Sequence, residues 1–483
     1  MTSHLEEKYQ TSWQERQTFA ENMQPITGQL FRNKGIEISV YGRPLVNASA
    51  IDIIKAHRSV ALHEENKLRL RESFPFLQAL AKMELAPARI DVGKLAYRYL
   101  FKGEANGLSI EQFLEKELLS ITAKGNDVQE TKDVVLYGFG RIGRLLARLL
   151  IERAGPNAKL NLRAIVIRPG KEDDLEKRAS LLRRDSVHGA FNGSITIDKE
   201  NNVIKANGAF IKIIYAKSPA EIDYTAYGIK DALVVDNTGI WSDEEGLGQH
   251  LQSKGVAKVL LTAPAKGDIK NIVFGVNDDM ILADDTIISA ASCTTNAITP
   301  VLKALNDEFG IRNGHVETVH SYTNDQNLID NYHPAPRRGR SAPLNMVIST
   351  TGAAKAVAKA LPELKGLLTG NAIRVPTPNV SMAIMNLNLK KATDKAALND
   401  YLRNISLNST LQNQVDYTAS TEIVSTDLVG SRYAGVVDSQ ATIVDGDRAV
   451  LYVWYDNEFG YSCQVVRVML AMADINVPTL PLN

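Results

Sequence analysis

The stretch "VVLYGFGRIGRLLARLL" constrains the fold of this chain more than any other. Its glycines Gly138, Gly140 and Gly143 have G-x-G-x-x-G spacing, directly after a strand-like apolar run and at the start of a helix-like one. In this setting the first glycine permits a tight turn, the second lets the backbone approach a pyrophosphate, and the third allows the helix to pack closely on the strand. The helix N-terminus adds free N–H donors. The motif therefore predicts a Rossmann-type dinucleotide-binding domain.

The amino-acid composition and the spacing of apolar residues along the chain predict three regions. Residues 1–130 are rich in Glu, Lys, Leu and Ala with apolar positions at helical spacing, so we expect a mostly helical N-terminal extension. From residue 131 to 292, short runs rich in Val, Ile and Leu alternate with helical intervals, which is typical of a parallel sheet with crossover helices. Residues 293–456 mix strands and helices with less regular alternation and predict a second lobe, in which the first helix is expected over 297–309.

Composition excludes several classes of function. The 483 residues carry 55 Lys and Arg against 55 Asp and Glu, so no broad cationic surface favours nucleic acid or an anionic membrane. The apolar runs are far shorter than the roughly 20 residues that cross a bilayer. Two cysteines cannot build a disulfide framework, and the first residues lack the basic and apolar regions of a leader. We expect a soluble protein of the cytoplasm with no nucleic-acid or membrane partner.

One of the two cysteines lies in "ISAASCTTNAIT", between an apolar strand-like run and a helix-like one. The free N–H groups and dipole of a following helix stabilise a thiolate, so this position is expected to lower the pKa of the Cys293 thiol. A nucleophilic cysteine also needs a base, and His320 ends the strand-like segment "HVETVH". Cys293 and His320 are therefore the candidate catalytic pair, although either residue alone is compatible with a packing role.

The end of the second strand predicts which cofactor binds. An acidic residue there normally holds the ribose 2′-hydroxyl of NAD, but "RAIVIRPG" ends in Arg168, whose guanidinium pairs with a 2′-phosphate. The position favours NADP or tolerance of it. Two alternatives stay open: Arg168 is a solvated loop residue, or one of Glu172, Asp173 and Asp174 reaches the ribose instead.

Further motifs resemble one family in their order along the chain. "GFGRIGR", "NTG", "AASCTTN", "TVHSYT", "TTGAAKA", "ELKGLLTG", "RVPTPNVS" and "WYDNEFGYS" follow one another as in phosphorylating glyceraldehyde-3-phosphate dehydrogenases, from about Asp133 onward. The resemblance implies a catalytic α+β domain over 293–456, a Rossmann domain completed by a C-terminal helix at 457–483, and a homotetramer. It also implies oxidation of glyceraldehyde 3-phosphate with inorganic phosphate and NAD or NADP.

The same resemblance assigns roles residue by residue. For the cofactor it implies the glycine turn with Arg141 and Ile142, then Thr238 and Gly239, then Asn457 at the carboxamide and Tyr461 near the ring. For the substrate phosphate it implies Thr323 and Arg374. For inorganic phosphate it implies Ser292, Thr294, Thr351 and Gly352.

Residues 1–130 have no counterpart in ordinary members of this family, and Tyr137 stands where Asn usually precedes the first glycine. Two other functions remain open. Erythrose-4-phosphate dehydrogenase uses the same mechanism, and "DQNLIDNYHPAPRR" resembles its loop. A redox-sensing or scaffolding relative would keep the fold and use the N-terminal extension to bind a partner.

Overall fold

The computed structural model describes residues 2–122, 131–170, 172–350 and 352–481, and it divides into two compact units. The N-terminal unit comprises Met1–Glu130, Gly155–Ala158 and Asn476–Asn483. The main unit comprises Thr131–Ala154 and Lys159–Ile475. The predicted fold class is confirmed: a mostly helical extension precedes a Rossmann-type parallel sheet and a mixed α+β region.

Helices dominate the N-terminal unit. Its elements in chain order are α1 (Thr2–Lys34), β1 (Glu37–Val40), β2 (Arg43–Pro44), α2 (Ala50–Ser59), α3 (Leu70–Lys82), β3 (Arg89–Asp91), α4 (Val92–Phe101), α5 (Ile110–Glu117) and α6 (Leu119–Thr122). Asp91 organises the small sheet, because its buried carboxylate accepts hydrogen bonds from the N–H groups of Tyr41 (3.0 Å) and Gly42 (2.7 Å). The same carboxylate caps α4 through the Lys94 N–H, 2.9 Å away.

The first half of the main unit is an eight-stranded sheet. Its elements are β4 (Lys132–Tyr137), α7 (Arg141–Glu152), β5 (Leu160–Ile167), α8 (Asp174–Arg183), β6 (Ile195–Asp198), β7 (Val203–Ala206), β8 (Ala209–Tyr215), β9 (Ala232–Asp236), α9 (Glu244–Gly248), β10 (Val256–Leu261) and β11 (Ile287–Ser289). The strand order is β11-β10-β9-β4-β5-β8-β7-β6, parallel except for the β7 pairings. Because β4 has β5 on one side and β9 on the other, its carboxyl end is the topological switch point where ligands of such sheets bind.

The second half of the main unit is a mixed sheet backed by helices. Its elements are α10 (Cys293–Phe309), β12 (Ile311–Ser321), β13 (Val347–Thr350), α11 (Ala353–Ala360), β14 (Leu368–Val375), β15 (Ser381–Leu389), α12 (Lys395–Asn408), β16 (Val415–Thr418), β17 (Gly435–Asp438), β18 (Ile443–Asp445), β19 (Arg448–Tyr455) and α13 (Phe459–Met472). The order is β13-β14-β12-β15-β19-β17-β16, with β18 on β19. Leu302 and Leu305 of α10 and Val357 of α11 pack with Met385 and Leu451 of the sheet.

The C-terminal segment contributes to both units. Helix α13 belongs to the main unit and packs on α7, and the chain then continues to β20 (Thr479–Leu480), which pairs in parallel with β3 of the N-terminal unit. The Arg89 N–H donates to the Pro478 carbonyl at 2.8 Å, and Leu480 is buried. Strand β20 thus pairs with the edge of β3 that does not face β1. No helix in the described part of the chain has the length and apolar character to span a membrane.

Candidate active site

The glycine turn between β4 and α7 has the geometry that its motif predicts. Gly138 has φ of 97°, a conformation that favours glycine. A Cβ on Gly143 would lie 2.4 Å from the Gly138 carbonyl oxygen, so α7 reaches the turn only because this residue has no side chain. A Cβ on Gly140 would meet no atom within 4 Å. The open space beside Gly140, at the N-terminus of α7, fits the pyrophosphate of a dinucleotide.

Arg141 and Ile142 follow in the first turn of α7, where Ile142 is half-buried. The Arg141 guanidinium is held by two carboxylates: Nε lies 2.7 Å from Glu458 Oε1, and Nη1 lies 2.8 Å from Asp185 Oδ2. Its contacts are therefore with protein, and they tie the start of α7 to the residue that follows Asn457. Sequence reasoning expected Arg141 among the cofactor residues and did not identify its two acidic partners.

Thr238 and Gly239 form the turn after β9, at the same edge of the sheet. The Thr238 N–H and hydroxyl both donate to Asp236 Oδ1, at 2.8 and 2.7 Å, and Gly239 has φ of 68°. Buried Asp236 also lies 2.9 Å from His250 Nε2, so one carboxylate fixes the turn. Sequence reasoning missed Trp241, whose ring lies 6.1 Å from that of Tyr137; the signal for it was an aromatic residue immediately beyond the predicted turn.

Cys293 is the first residue of α10, which begins four residues before the predicted start at Ala297. Ser292 caps the helix, because its hydroxyl accepts from the Thr295 N–H at 3.0 Å. His320, near the end of β12, lies with Nε2 3.6 Å from Cys293 Sγ. The two residues predicted as a catalytic pair are thus in contact.

Arg374 completes this group because β12 and β14 pair in parallel with His320 opposite Arg374. Arg374 Nη1 lies 2.8 Å from His320 Nδ1, and that nitrogen lies 2.7 Å from the Ser321 carbonyl oxygen. A guanidinium only donates, so an imidazole that accepts from Arg374 carries its proton on Nε2, facing the sulfur. An imidazole that donates to Ser321 instead leaves Nε2 free to accept the thiol proton. The two tautomers supply an acid and a base at one position.

Burial controls the charge of the resting pair. It raises the pKa of the Cys293 thiol, against the opposing effects of the Arg374 charge and the hydrogen bonds of Thr294. Burial, together with the Arg374 charge, lowers the pKa of His320 to about 3. The expectation that the helix N-terminus lowers the thiol pKa is therefore wrong for the protein alone, because desolvation outweighs the helix.

The Arg374 guanidinium is a candidate anion site. It has no carboxylate partner in the described part of the chain, and its buried Nε has no hydrogen-bond partner there. A buried cation of this kind is normally paired, so a phosphate of the substrate would supply the missing charge. Thr323 lies two residues beyond β12, half-buried, and its hydroxyl makes no hydrogen bond with the described residues.

The other predicted phosphate residues lie around the two helix N-termini. Ser292 and Thr294 flank Cys293, but their hydroxyls already contact Thr295 Oγ1 (2.7 Å) and Tyr455 Oη (3.0 Å). Gly352 is exposed at the N-terminus of α11, with open space where a side chain would lie. Thr351 lies outside the described residues.

Asn457 and Tyr461, at the start of α13, border the Cys293 region. Asn457 Oδ1 accepts from the Ser381 hydroxyl at 2.9 Å, and the Tyr461 hydroxyl donates to the Ala291 carbonyl at 2.9 Å. Both residues are buried. Tyr461 therefore fixes the segment that enters α10, two residues before the cysteine.

The fold and the site together define a class of protein: an oxidoreductase with a dinucleotide-binding sheet and a cysteine–histidine pair beside an unpaired arginine. Two family models match the chain. They are described as "Glyceraldehyde 3-phosphate dehydrogenase, NAD binding domain", over residues 132–244, and "Glyceraldehyde 3-phosphate dehydrogenase, C-terminal domain", over residues 292–457. The chain belongs to the glyceraldehyde-3-phosphate dehydrogenase family, and it is an enzyme that uses NAD or NADP.

Three relatives indicate how far the similarity extends. A glyceraldehyde-3-phosphate dehydrogenase-like protein of Pseudomonas aeruginosa is 63% identical over 462 residues, which cover 95% of this chain and 100% of the relative. The glyceraldehyde-3-phosphate dehydrogenase of Zymomonas mobilis is 39% identical over 70% of this chain and 98% of its own. Chloroplastic glyceraldehyde-3-phosphate dehydrogenase A of Zea mays is 41% identical over 69% of this chain and 80% of its own. The Pseudomonas protein therefore shares most of the N-terminal region as well.

Proposed function

We propose that the protein oxidises D-glyceraldehyde 3-phosphate reversibly to 1,3-bisphosphoglycerate, with inorganic phosphate and NAD or NADP, through a thioester on Cys293. The observation that carries this proposal is the contact of Cys293 Sγ with His320 Nε2, 3.6 Å apart, beside Arg374, which has no carboxylate partner among the described residues. Arg374 would bind the phosphate of a phosphorylated aldehyde, and the Cys293 thiol would form a covalent bond with the aldehyde carbon.

In the first step His320 takes the thiol proton as sulfur adds to the aldehyde carbon and then passes this proton to the carbonyl oxygen, which gives a hemithioacetal and returns the imidazole to its neutral form. Bound NAD or NADP would supply the oxidant, a hydride acceptor for that carbon, so that the hemithioacetal becomes a thioester. His320 removes the hydroxyl proton in the same step, while the Cys293 N–H at the start of α10 stabilises the oxygen. Asn457 and Tyr461 would hold the carboxamide and pack near the ring.

In the second step inorganic phosphate attacks the thioester carbon. The carbon–sulfur bond breaks, the acyl phosphate leaves, and the sulfur regains its proton from His320. We assign Arg374 and Thr323 to the substrate phosphate, and Ser292, Thr294, Thr351 and Gly352 to the incoming phosphate. The neutral resting pair supports these roles, since the thiol gives up its proton only when a substrate is there to react.

We also propose a homotetramer. The loop between β12 and β13 exposes five large apolar side chains: Leu328, Ile329, Tyr332, Leu344 and Met346. Several exposed large apolar side chains in one loop are typical of a contact between subunits. Light scattering should give four times the mass of the chain, and a monomer at micromolar concentration would contradict the proposal.

The test of function is the near-ultraviolet absorbance of reduced nicotinamide in the presence of aldehyde, phosphate and either cofactor. Glyceraldehyde 3-phosphate should be oxidised faster than erythrose 4-phosphate; the reverse would favour the tetrose enzyme. Cys293→Ser should abolish turnover, because a serine hydroxyl is a far weaker nucleophile at neutral pH. The matched control is Cys463→Ser, at the other free cysteine, which is buried in α13. Substantial turnover by Cys293→Ser would contradict the covalent mechanism.

A further inference from the structure

Two cations lie side by side at the carboxyl edge of the parallel sheet. Arg168 is the first residue after β5, and Lys217 is the second residue after β8. These strands pair in parallel with Ile167 opposite Tyr215, and the Ala216 N–H donates to the Ile167 carbonyl at 3.0 Å. Both cations are exposed, and neither side chain bonds to another described residue. The edge thus offers two exposed positive charges whose side chains make no ion pair with a described residue.

The neighbouring acids are mostly occupied elsewhere. Asp173 lies 2.7 Å from Lys177, and Asp174 lies 3.2 Å from Arg178, each an ion pair along α8. Glu221 Oε2 accepts from the Lys217 backbone N–H at 3.2 Å. Glu172 is exposed and has no ion pair within the described part of the chain. It is the one acid of this run that remains available to a ribose hydroxyl.

The two cations adjoin the glycine turn. Tyr137, the last residue of β4, is opposite Val166 of β5, and the Gly138 N–H donates to the Val166 carbonyl at 2.9 Å. Burial and Asp236 raise the pKa of Tyr137 to about 12, and the Arg168 charge opposes that rise. A dinucleotide with its pyrophosphate at Gly140 would place its adenosine ribose near this edge.

We propose that Arg168 and Lys217 bind the 2′-phosphate of NADP and that this chain therefore prefers NADP to NAD. The 2′-phosphate is a dianion that an arginine fork and an ammonium group recognise well. The 2′-hydroxyl of NAD instead needs a carboxylate acceptor, and the residue after β5 supplies none. The inference deepens the proposed function by naming its cofactor, and for the reaction itself it rests on that function.

The test measures binding without turnover. Calorimetry on the full-length protein compares NADP with NAD, and adenosine 2′,5′-bisphosphate with adenosine 5′-monophosphate. The wild type should bind the 2′-phosphorylated member of each pair at least about tenfold more tightly, since a charge-assisted hydrogen bond is worth about 1.5–3 kcal/mol. Arg168→Asp should weaken NADP binding by roughly 10- to 100-fold without weakening NAD, and Lys217→Gln by roughly threefold to tenfold.

Two controls separate this site from general charge effects. Lys230→Gln removes an exposed lysine that precedes β9, at the opposite edge of the sheet, and should change neither affinity. Glu172→Gln should leave NADP binding unchanged, and a loss of NAD affinity in this variant would show that Glu172 holds the ribose hydroxyl and would contradict the inference. Tighter binding of NAD than of NADP by the wild type would overturn the inference, and so would equal losses for both cofactors in Arg168→Asp. If NADP binds preferentially but the aldehyde is not oxidised, the proposed function fails and the inference stands.

Discussion

Arg374 affects both members of the catalytic pair with a single charge. Its guanidinium lowers the pKa of His320 and also lowers the pKa of Cys293. The two pKa shifts have the same sign but opposite effects on charge, because a lower pKa favours the charged form of a thiol and the neutral form of an imidazole. The arginine therefore favours a thiolate beside a neutral base, while burial keeps the thiol protonated until a ligand arrives.

Replacing Arg374 should consequently slow alkylation of Cys293. Without the positive charge the thiol pKa rises further, so less thiolate exists at neutral pH and the whole rate profile moves to higher pH. Arg374→Leu should react several-fold more slowly with iodoacetamide at pH 7, as followed by mass spectrometry. Arg312→Leu, which breaks an exposed ion pair with Asp447, is the control and should react like the wild type. A profile at the same pH position in both variants would show that Arg374 does not act on the thiol.

The sequence predicted the identities of these residues but not their charges. Cys293, His320 and Arg374 stand in motifs that sequence order reveals. The contact of Arg374 with His320 depends on the register of β12 against β14, which no local pattern contains. The raised thiol pKa depends on how deeply α10 begins inside the protein, and burial at that level follows from packing of distant segments.

At the scale of elements, the turn between β4 and α7 contains two glycines, Gly140 and Gly143, that have different structural roles. Gly143 is needed for packing, since its Cβ would overlap the Gly138 carbonyl, whereas Gly140 leaves space for a ligand. The strand–turn–helix order was predictable because glycine spacing and apolar periodicity are local signals. The early start of α10 was not, because its cap depends on the Ser292 hydroxyl taking one particular orientation.

The two glycines should therefore separate stability from binding. Gly143→Ala should lower the free energy of unfolding by about 1–3 kcal/mol, because the backbone must move to admit the methyl group. Gly140→Ala, at φ of −77°, should change stability by no more than about 0.5 kcal/mol, yet it should weaken binding of either dinucleotide. Thermal unfolding and calorimetry measure the two effects. Equal losses of stability in both variants would contradict the assignment.

At the scale of the whole molecule, the two-residue strand β20 links the end of the chain to the N-terminal unit. Sequence patterns could not predict this strand, because two residues carry no periodicity and its partner β3 is equally short. The resemblance to a known family could not predict β20 either, because ordinary members of that family have no counterpart of residues 1–130. Only the complete fold shows that β3 has an edge to fill.

Removal of β20 should weaken β3 in particular. Deleting residues 479–483 removes the parallel partner of Arg89 and Ile90 and the buried Leu480 side chain. Amide hydrogen exchange in β3 should become roughly tenfold faster or more, with β14 as the internal reference. Leu480→Ala keeps the backbone pairing and should have a smaller effect. Unchanged exchange in β3 after the deletion would show that the pairing adds nothing to local stability.

This strand pairing also fixes an order of events during synthesis. Residues 89–91 leave the ribosome long before residue 479 exists, and the whole main unit is translated between them. The sheet of the N-terminal unit therefore has one edge of β3 open while the main unit is made, and this edge is paired only after residues 479–480 have been added. A segment that is made early is thus completed late, so the open edge of β3 is a place that a chaperone would have reason to cover.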